Sequence, residues 1–554
     1  MRILSRYPTR YLVIAAFISF GFILHLTRLV DHHDISPTWG PPPKSDDTQE
    51  TFSYKSKHQH GDEPTHDESR PVKLDRLSLE ELKTLVSGKK GYYVRDWSVG
   101  LGWNNMKYII EAALIQAKLL DRVLVIPSFV YARNCEYDID VCSEYALMVN
   151  REDAVGWDKW NGAPLNTNAW QLPIELMLDL PKLRSYYPVI LTPEFMQLHN
   201  LDTSNELLTG QWNRDIHKTP NMTSFHVIPN HIFDNDIFRV DTTHPFPSKM
   251  NESMEIDTEI NAHLREAAGE EKNPLSWDNA VQTLRNKGHY IDDDETAEKF
   301  MNRGGWIVTY TYEGLGGMEY TRTVAPTIRQ VLPRSRVHGW VEDFTLNADV
   351  LFLEGETHLS RKPGGFRFTT LAARDDYTHF VLTYMRPIGP LIALSEKIAR
   401  RMTGLADGRA WLSAHMRRGD FTVIGWVKDK SLESHLKHVQ EIFEQGRKRL
   451  VRQVLRGGMP REDDPYFIAT DERNSTNLDY MRQNGAVIIY DLLTIEDRRE
   501  IGWPLLFTDV LGIVEQRVAA SSAFFYGHAL SSLAGGVVNI RTTMGFDSNT
   551  WIID

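Results

Sequence analysis

The sequence predicts an α/β protein of two Rossmann-like domains facing a cleft, preceded by a transmembrane helix and a disordered stem. Three observations carry that expectation. A strand, helix and strand follow one another between Gly91 and Pro127, strand and helix patterns alternate again from Ala410 to Arg541, and one long apolar run near the N-terminus is followed by a polar stretch. At 554 residues the chain can bury a large core, and the length favours more than one domain.

Hydrophobic residues make up 42% and charged residues 25%, as in a globular protein. A net charge of -12 excludes a general nucleic-acid binder, whose phosphate contacts need a basic surface. Any anion site must therefore be local.

Arg2, Arg6 and Arg10 precede the apolar run Tyr11 to Leu29, close to the ~20 residues that span a bilayer. Asp31 and Asp34 follow it, so the positive-inside rule puts residues 1–10 in the cytoplasm and the chain beyond the span at 11–29 in the lumen, as a type II protein of the Golgi or endoplasmic reticulum. No small-residue cleavage site follows, which favours an uncleaved anchor over a removed signal peptide. Residues 30–73 are polar, with Pro41 to Pro43 and scattered histidines, and form the stem. Sequons at Asn221, Asn251 and Asn474 fit lumenal exposure.

The N-terminal domain is expected over 74–375. A strand at Tyr92 to Val94 leads through Gly100, Leu101 and Gly102 into a helix from Asn104 to Leu120, with Ile109, Ala112, Ala113, Ile115 and Leu119 on its core side, then a strand at Val123 to Ile126. Glycines before a helix let its N-terminal amides approach a ligand, which makes Gly100 and Gly102 candidates on the donor side; the full dinucleotide fingerprint is missing. Cys135 and Cys142, the two cysteines, can close a short loop in an oxidising compartment, whereas zinc would need ligands this acidic stretch does not supply.

From there to about Phe300 few clean periods appear, and long functional loops or an acceptor-side insertion are expected. The DDDE run at Asp292 to Glu295 has a spacing that two metal-binding carboxylates can use, but a solvated helix start is the commoner meaning, and no metal site is assigned. Strands follow at Trp306 to Tyr312 and Asp349 to Leu353, then a single helix from Tyr377 to Arg401 bridging to the C-terminal domain, 376–554.

In that domain the stretch RAWLSAHMRRGDF is central. Ala410, Leu412, Ala414 and Met416 alternate with Trp411, Ser413 and His415, a strand packed on both faces. At its carboxyl end, where open α/β sheets bind ligands, stand His415, Arg417, Arg418 and Asp420. An arginine fork there can hold a phosphate and stabilise charge on a departing diphosphate; the bland alternative is an ion pair between Arg418 and Asp420. An adhesion role for the RGD tripeptide is disfavoured by the buried strand beside it. Further expected elements are a helix from Ser431 to Val454, strands at Tyr466 to Glu472 and Ala486 to Leu493, a helix from Phe507 to Ala520, and the segment SAFFYGHALSSLAGGVVNIR.

Three separated motifs together resemble the GDP-fucose protein O-fucosyltransferase superfamily: NNMKYIIEAALIQAKLLDRVLVIP, HMRRGDF, and YFIATDE with FFYGHALSSL. The match runs from about Gly91 to Arg541, with the middle poorly matched. The resemblance implies a GT-B fold and an inverting glycosyltransferase that takes fucose from GDP-fucose, without a required metal or cofactor. It places Asn105 near the reacting groups and Arg417 on the β-phosphate, flanked by His415 and Arg418. Asp471 would lie by the nucleotide, Ser531 and Ser532 on the diphosphate, and Glu515 by guanine or ribose; the plain alternatives are that Asp471 caps a helix and the serines merely pack. Asp420 and Glu515 are the candidates for the base that deprotonates the acceptor. The chain departs from the animal protein-modifying members in its anchor, its two cysteines and RRGD, whose second arginine is closer to the α1,6-fucosyltransferase form. Protein, glycan and polysaccharide acceptors therefore stay open, as do a different nucleotide sugar and a catalytically silent lumenal protein that binds a glycan or a partner.

Overall fold

The computed structural model describes residues 76–151, 167–218, 224–229, 237–241, 256–269, 274–312, 323–355, 366–423, 425–427, 429 and 431–554. All of them lie in the unit Glu68–Asp554. The expected anchor at 11–29, the stem, and the sequons at Asn221 and Asn251 fall outside the described residues. Among the described residues no helix is long and apolar enough to cross a membrane.

Two five-stranded parallel sheets organise the unit, a mixed α/β architecture. The first contains β1 (Tyr92–Arg95), β2 (Val123–Ile126), β3 (Val189–Leu191), β4 (Phe225–Ile228) and β5 (Val350–Leu353), in the order β3-β2-β1-β5-β4. Tyr92 pairs with Val123 on one side and Val350 on the other, so β1 is central, and all four residues of β2 and of β5 are buried. Such continuous burial is why these strands read as apolar runs.

Between β1 and β2 runs α1 (Trp103–Leu119), whose expected core residues Ile109, Ala112, Ala113 and Ile115 are buried while Leu119 is half-buried. Its burial extends further, taking in Asn105, Glu111 and Gln116, because it packs on β1 and β2 with one face and on helices of the second half with the other.

The second sheet follows α2 (Leu371–Thr383) and α3 (Gly389–Leu405). A single bridging helix from Tyr377 to Arg401 was expected; the chain instead breaks after Thr383, because Pro387 lacks an amide proton, and restarts with Pro390 in the first turn of α3. The strands are β6 (Leu412–Met416), β7 (Tyr466–Thr470), β8 (Ala486–Val487), β9 (Phe524–Gly527) and β10 (Trp551–Ile553), in the order β8-β7-β6-β9-β10, with α4 (Leu432–Leu450), α5 (Thr508–Ala520) and α6 (Ser532–Thr543) packed around them. β6 is central and every residue of it is buried, as its alternation predicts.

The apolar run Ala486 to Leu493 is not one strand. After Val487 the chain turns into the short helix Ile489–Leu492, where Asp491 accepts a hydrogen bond from the Ile488 amide. The expected loops before Phe300 are also corrected: Thr258–Ala268, Trp277–Asn286 and Asp294–Arg303 are helices around a core of Ile260, Leu264, Leu284 and Met301. The DDDE run starts the last of them, with Asp293 capping it through the Thr296 amide.

Asp509, in the first turn of α5, pins the two halves together. One carboxylate oxygen accepts from the Trp103 amide at the start of α1 (2.8 Å) and the other from the Arg133 amide (2.8 Å). Gly102 has φ 82°, and a Cβ there would lie 2.9 Å from that carboxylate, so the turn takes no side chain. Asp509→Ala strands both amides and is expected to lower the unfolding free energy by about 2–3 kcal/mol, with Asp509→Asn losing less; urea denaturation checks the order.

Candidate functional site

The carboxyl ends of β6 and β7 bring five sequence-predicted residues into one cluster. Asp471, just past β7, accepts from the Arg418 amide at 2.7 Å and pairs with the Arg417 guanidinium at 3.2 Å. The backbone approaches closely because residue 419 is glycine, whose added Cβ would stand 2.5 Å from the Asp471 carboxylate. Asp471 therefore buttresses the arginine loop; the cap of the following helix is Asn474, which accepts from the Asn477 amide.

The two arginines turn apart. Arg418 is buried, its guanidinium 3.4 Å from the Glu472 carboxylate and from the Ser431 carbonyl. Arg417 keeps 22% of its side chain exposed beside Asp471, with its guanidinium 5.4 Å from the centre of the Phe421 ring. Arg417 alone is thus presented at the strand end, and Arg418 braces it from below. The Asp420 side chain, a base candidate, lies outside what the structure describes.

His415 is buried, and its Nδ1–H donates to the Ala469 carbonyl at 3.1 Å, which fixes Nε2 as a lone-pair acceptor without a partner among the described residues. Burial, reinforced by the neighbouring Arg417 charge, holds its pKa down at about 4, so the ring is neutral near pH 7. His435 on α4, beside Arg418, is lowered to about 4 by burial and then by that arginine.

Glu515 on α5 faces the same strand ends. Burial pushes it up to about 8; Arg473 and a backbone hydrogen bond at Thr470 oppose the shift, and Glu136 and Asp471 add to it. Arg473 also pairs with Glu136 at 3.0 Å. Glu136 sits next to Cys135, whose disulfide with Cys142 is formed as expected. Near pH 7 only the ionised fraction of this carboxyl, which grows towards pH 8, could take the acceptor's proton, and Glu515 keeps its place beside Asp420 as a base candidate.

The sign of its pH effect follows. Below the ordinary value of 4.5 the group is protonated folded and unfolded alike; between 4.5 and about 8 only the unfolded chain releases the proton. Stability from the neutral form is full at low pH and lost as pH rises through about 8. Glu515→Gln is expected to gain in melting temperature over the parent between pH 5 and 8; a constant difference would mean that Glu515 is already ionised.

The remaining predicted residues gather where α1 meets α5 and α6. Asn105 is buried and donates through Nδ2 to the Leu101 carbonyl (3.2 Å), and the Gly100 carbonyl accepts from Arg151 Nε (2.8 Å). Gln516, next to Glu515, donates to Asn104 Oδ1 and to the Leu533 carbonyl. Tyr108 donates to the Ser532 carbonyl at 2.7 Å, and Ser531 is the buried N-cap residue of α6, with its hydroxyl making no capping bond.

Sequence reasoning missed Glu136, Arg473, Asp509 and Gln516. Arg473 carries a weak signal, directly following the TDE motif; the others have none, since the contacts that place them, Glu136 with Arg473, Asp509 with Trp103 and Gln516 with Asn104, join residues hundreds of positions apart. Among the described residues no group of acidic, histidine or cysteine side chains is arranged to hold a metal ion.

No family model and no curated protein matches the chain. Crystal structures of POFUT1 are similar to it. The complex with GDP (crystal form III) aligns at 11% identity and a TM-score of 0.34, covering 84% of this chain and 98% of that one. The complex with GDP-fucose (crystal form I) gives 11% and 0.33, and the apo form 10% and 0.33, at the same coverage. At that identity the similarity assigns neither a ligand nor a residue role.

Proposed function

We propose that this chain is an inverting glycosyltransferase of GT-B type that transfers fucose from GDP-fucose to a protein or glycan hydroxyl in the secretory pathway. The observation that carries the reading is Arg417, the partly exposed guanidinium at the carboxyl end of the central strand of a parallel sheet, braced by Asp471. In the transfer, the bond from the sugar's anomeric carbon to the diphosphate breaks while a bond to the acceptor oxygen forms on the opposite face. The acceptor loses its proton to a base and GDP departs. Arg417 stabilises the negative charge that grows on the β-phosphate, the term such an oxocarbenium-like transition state needs most.

His415 orients the loop from beneath as a neutral ring. Ser531, the N-cap of α6, and Ser532, its first residue, would receive the diphosphate, and Asn105 would stand beside them where α1 meets α6. The reading needs no metal, and it places the enzyme in the Golgi or endoplasmic reticulum lumen behind the apolar run at 11–29.

Isothermal titration of the full chain with GDP-fucose, GDP-mannose, UDP-glucose and GDP, with and without chelator, tests the donor. The expected result is binding of GDP and GDP-fucose that chelator leaves intact and Arg417→Ala removes. No nucleotide binding by the folded chain would favour a silent binding module instead.

A further inference from the structure

Two exposed surfaces of the chain carry opposite charge, and the proposed transfer uses neither. The first is the exit of α4, where Arg447, Lys448, Arg449, Arg452 and Arg456 put five positive charges and no negative one into the run 447–456. Lys437, earlier on the helix, stands 4.0 Å from Glu441, but none of those five pairs with a carboxylate among the described residues. Between them Val451 is 71% exposed and Val454 is fully exposed.

The second surface is the segment 137–148, which holds Asp138, Asp140 and Glu144 and no lysine or arginine. All three acids are exposed, and none pairs with a cation among the described residues. Tyr137, Ile139, Val141 and Leu147 are between 40% and 60% exposed. The segment is nonetheless anchored: the disulfide of Cys135 with Cys142 closes it, Cys142, Ala146 and Val149 are buried beneath it, and Tyr145 stacks on Trp503 at 5.9 Å. Its strand Leu147–Asn150 is the edge of a three-stranded sheet, with Asn168–Pro173 on its one paired side.

The two surfaces cannot meet within one molecule. α4 begins at the ligand end, where Arg418 donates to the Ser431 carbonyl, and runs back along the sheet for about 27 Å. Its exit stands at the amino ends of the strands. An added Cβ on Gly446 would lie 2.5 Å from the Phe524 ring, at the start of β9, and Arg449 donates to the Trp551 carbonyl, at the start of β10. The acidic segment is fixed at the carboxyl ends instead, through Glu136, which pairs with Arg473 just beyond β7. Exposed apolar side chains rimmed by charge mark surfaces that bind proteins. These two match each other: base meets acid, aliphatic meets aliphatic, and the tyrosine ring at 137 can take a guanidinium.

We propose that they are the two halves of one contact between copies of this chain, with the basic run 447–456 of one copy seated on the acidic segment 137–148 of the next. The contact is heterologous, so each copy keeps one surface of each kind for a neighbour and assembly runs head to tail. Each surface is shorter than the about 20–30 residues a side of a standard interface, so the contact is reversible.

The test is sedimentation equilibrium of the full chain in density-matched nonionic detergent. Weight-average mass should rise with protein concentration and fall back as salt is added. Lys448→Glu with Arg452→Glu reverses the basic run, and Asp138→Lys with Asp140→Lys reverses the acidic segment. Each double variant alone should lose about tenfold or more in self-association. An equimolar mixture of the two restores opposite charge across the contact and should associate as the parent does, which a misfolded variant would not do. Val454→Asp should also weaken association, and carries the test if a double variant does not fold. A parent that stays monomeric while heparin binds the run 447–456 would give that surface to a soluble polyanion and overturns the proposal. Association that neither reversal changes, or a mixture that stays apart, overturns it equally.

Discussion

Replacing Arg417 with alanine is expected to cut transfer by about 10²–10³-fold and to abolish measurable GDP-fucose binding while leaving the protein folded. The catalytic loss follows from position: of the two adjacent arginines at that strand end only Arg417 is offered, because Arg418 is turned under and engaged by Glu472 and the Ser431 carbonyl. The fold should survive because the Arg417 to Asp471 pair keeps 22% exposure on both sides, and such pairs contribute about 1 kcal/mol or less. Asp471 also keeps its bond from the Arg418 amide. Arg417→Lys preserves charge but loses the planar two-pronged donor, and should recover only part of the activity. Steady-state kinetics beside a urea melt separates the outcomes, and full activity in a folded Arg417→Ala protein would remove this residue from the mechanism.

The parts of the fold that were legible in the sequence are those whose local pattern and tertiary fate agree. β6 and α1 are examples: alternation marked the first and a strand-glycine-helix order the second, and both are buried where expected. The run Ala486 to Leu493 misled because periodicity cannot separate a short buried strand from a short buried helix, and Asp491 closing on the Ile488 amide decides it. The three helices between Thr258 and Arg303 were within reach, since Asp257, Ser276 and Asp293 each cap one, but helices of about 10 residues leave a weak periodic signal.

The site divides in the same way. Arg417, His415 and Asp471 could be placed because strand ends carry ligand chemistry, whichever residues surround them. The inward turn of Arg418 and the neutral state of Glu515 could not, because each depends on neighbours from elsewhere: Glu136 and Arg473 flank Glu515 yet lie 337 positions apart, 473 less 136. Electrostatic state is a property of the assembled interior, so sequence can nominate a titratable residue but not its charge.

Arg541→Met should be the most damaging single substitution for stability, by about 3–5 kcal/mol. Arg541 is fully buried in α6 and has no carboxylate partner among the described residues. Its guanidinium donates to the carbonyls of Ala520 (3.1 Å), Ser522 (2.6 Å), Ala523 (3.0 Å) and Thr550 (3.1 Å), and lies 4.2 Å from the centre of the Phe546 ring. Those carbonyls end α5, lead into β9 and precede β10, so one side chain ties that helix and two strands of the second sheet to α6. Burial lowers its pKa to about 9, which still leaves it charged at neutral pH, and the negative end of α5 offsets part of the desolvation. Methionine fills similar volume but leaves four inward carbonyls without a donor, each costing about 1–3 kcal/mol before relaxation. Against a typical total stability of about 5–15 kcal/mol, the variant should be barely folded, with early loss of the second half in hydrogen exchange. Urea denaturation of the variant beside the parent reads the difference, and a loss below about 1 kcal/mol would mean that water reaches those carbonyls and that Arg541 is not the tie described.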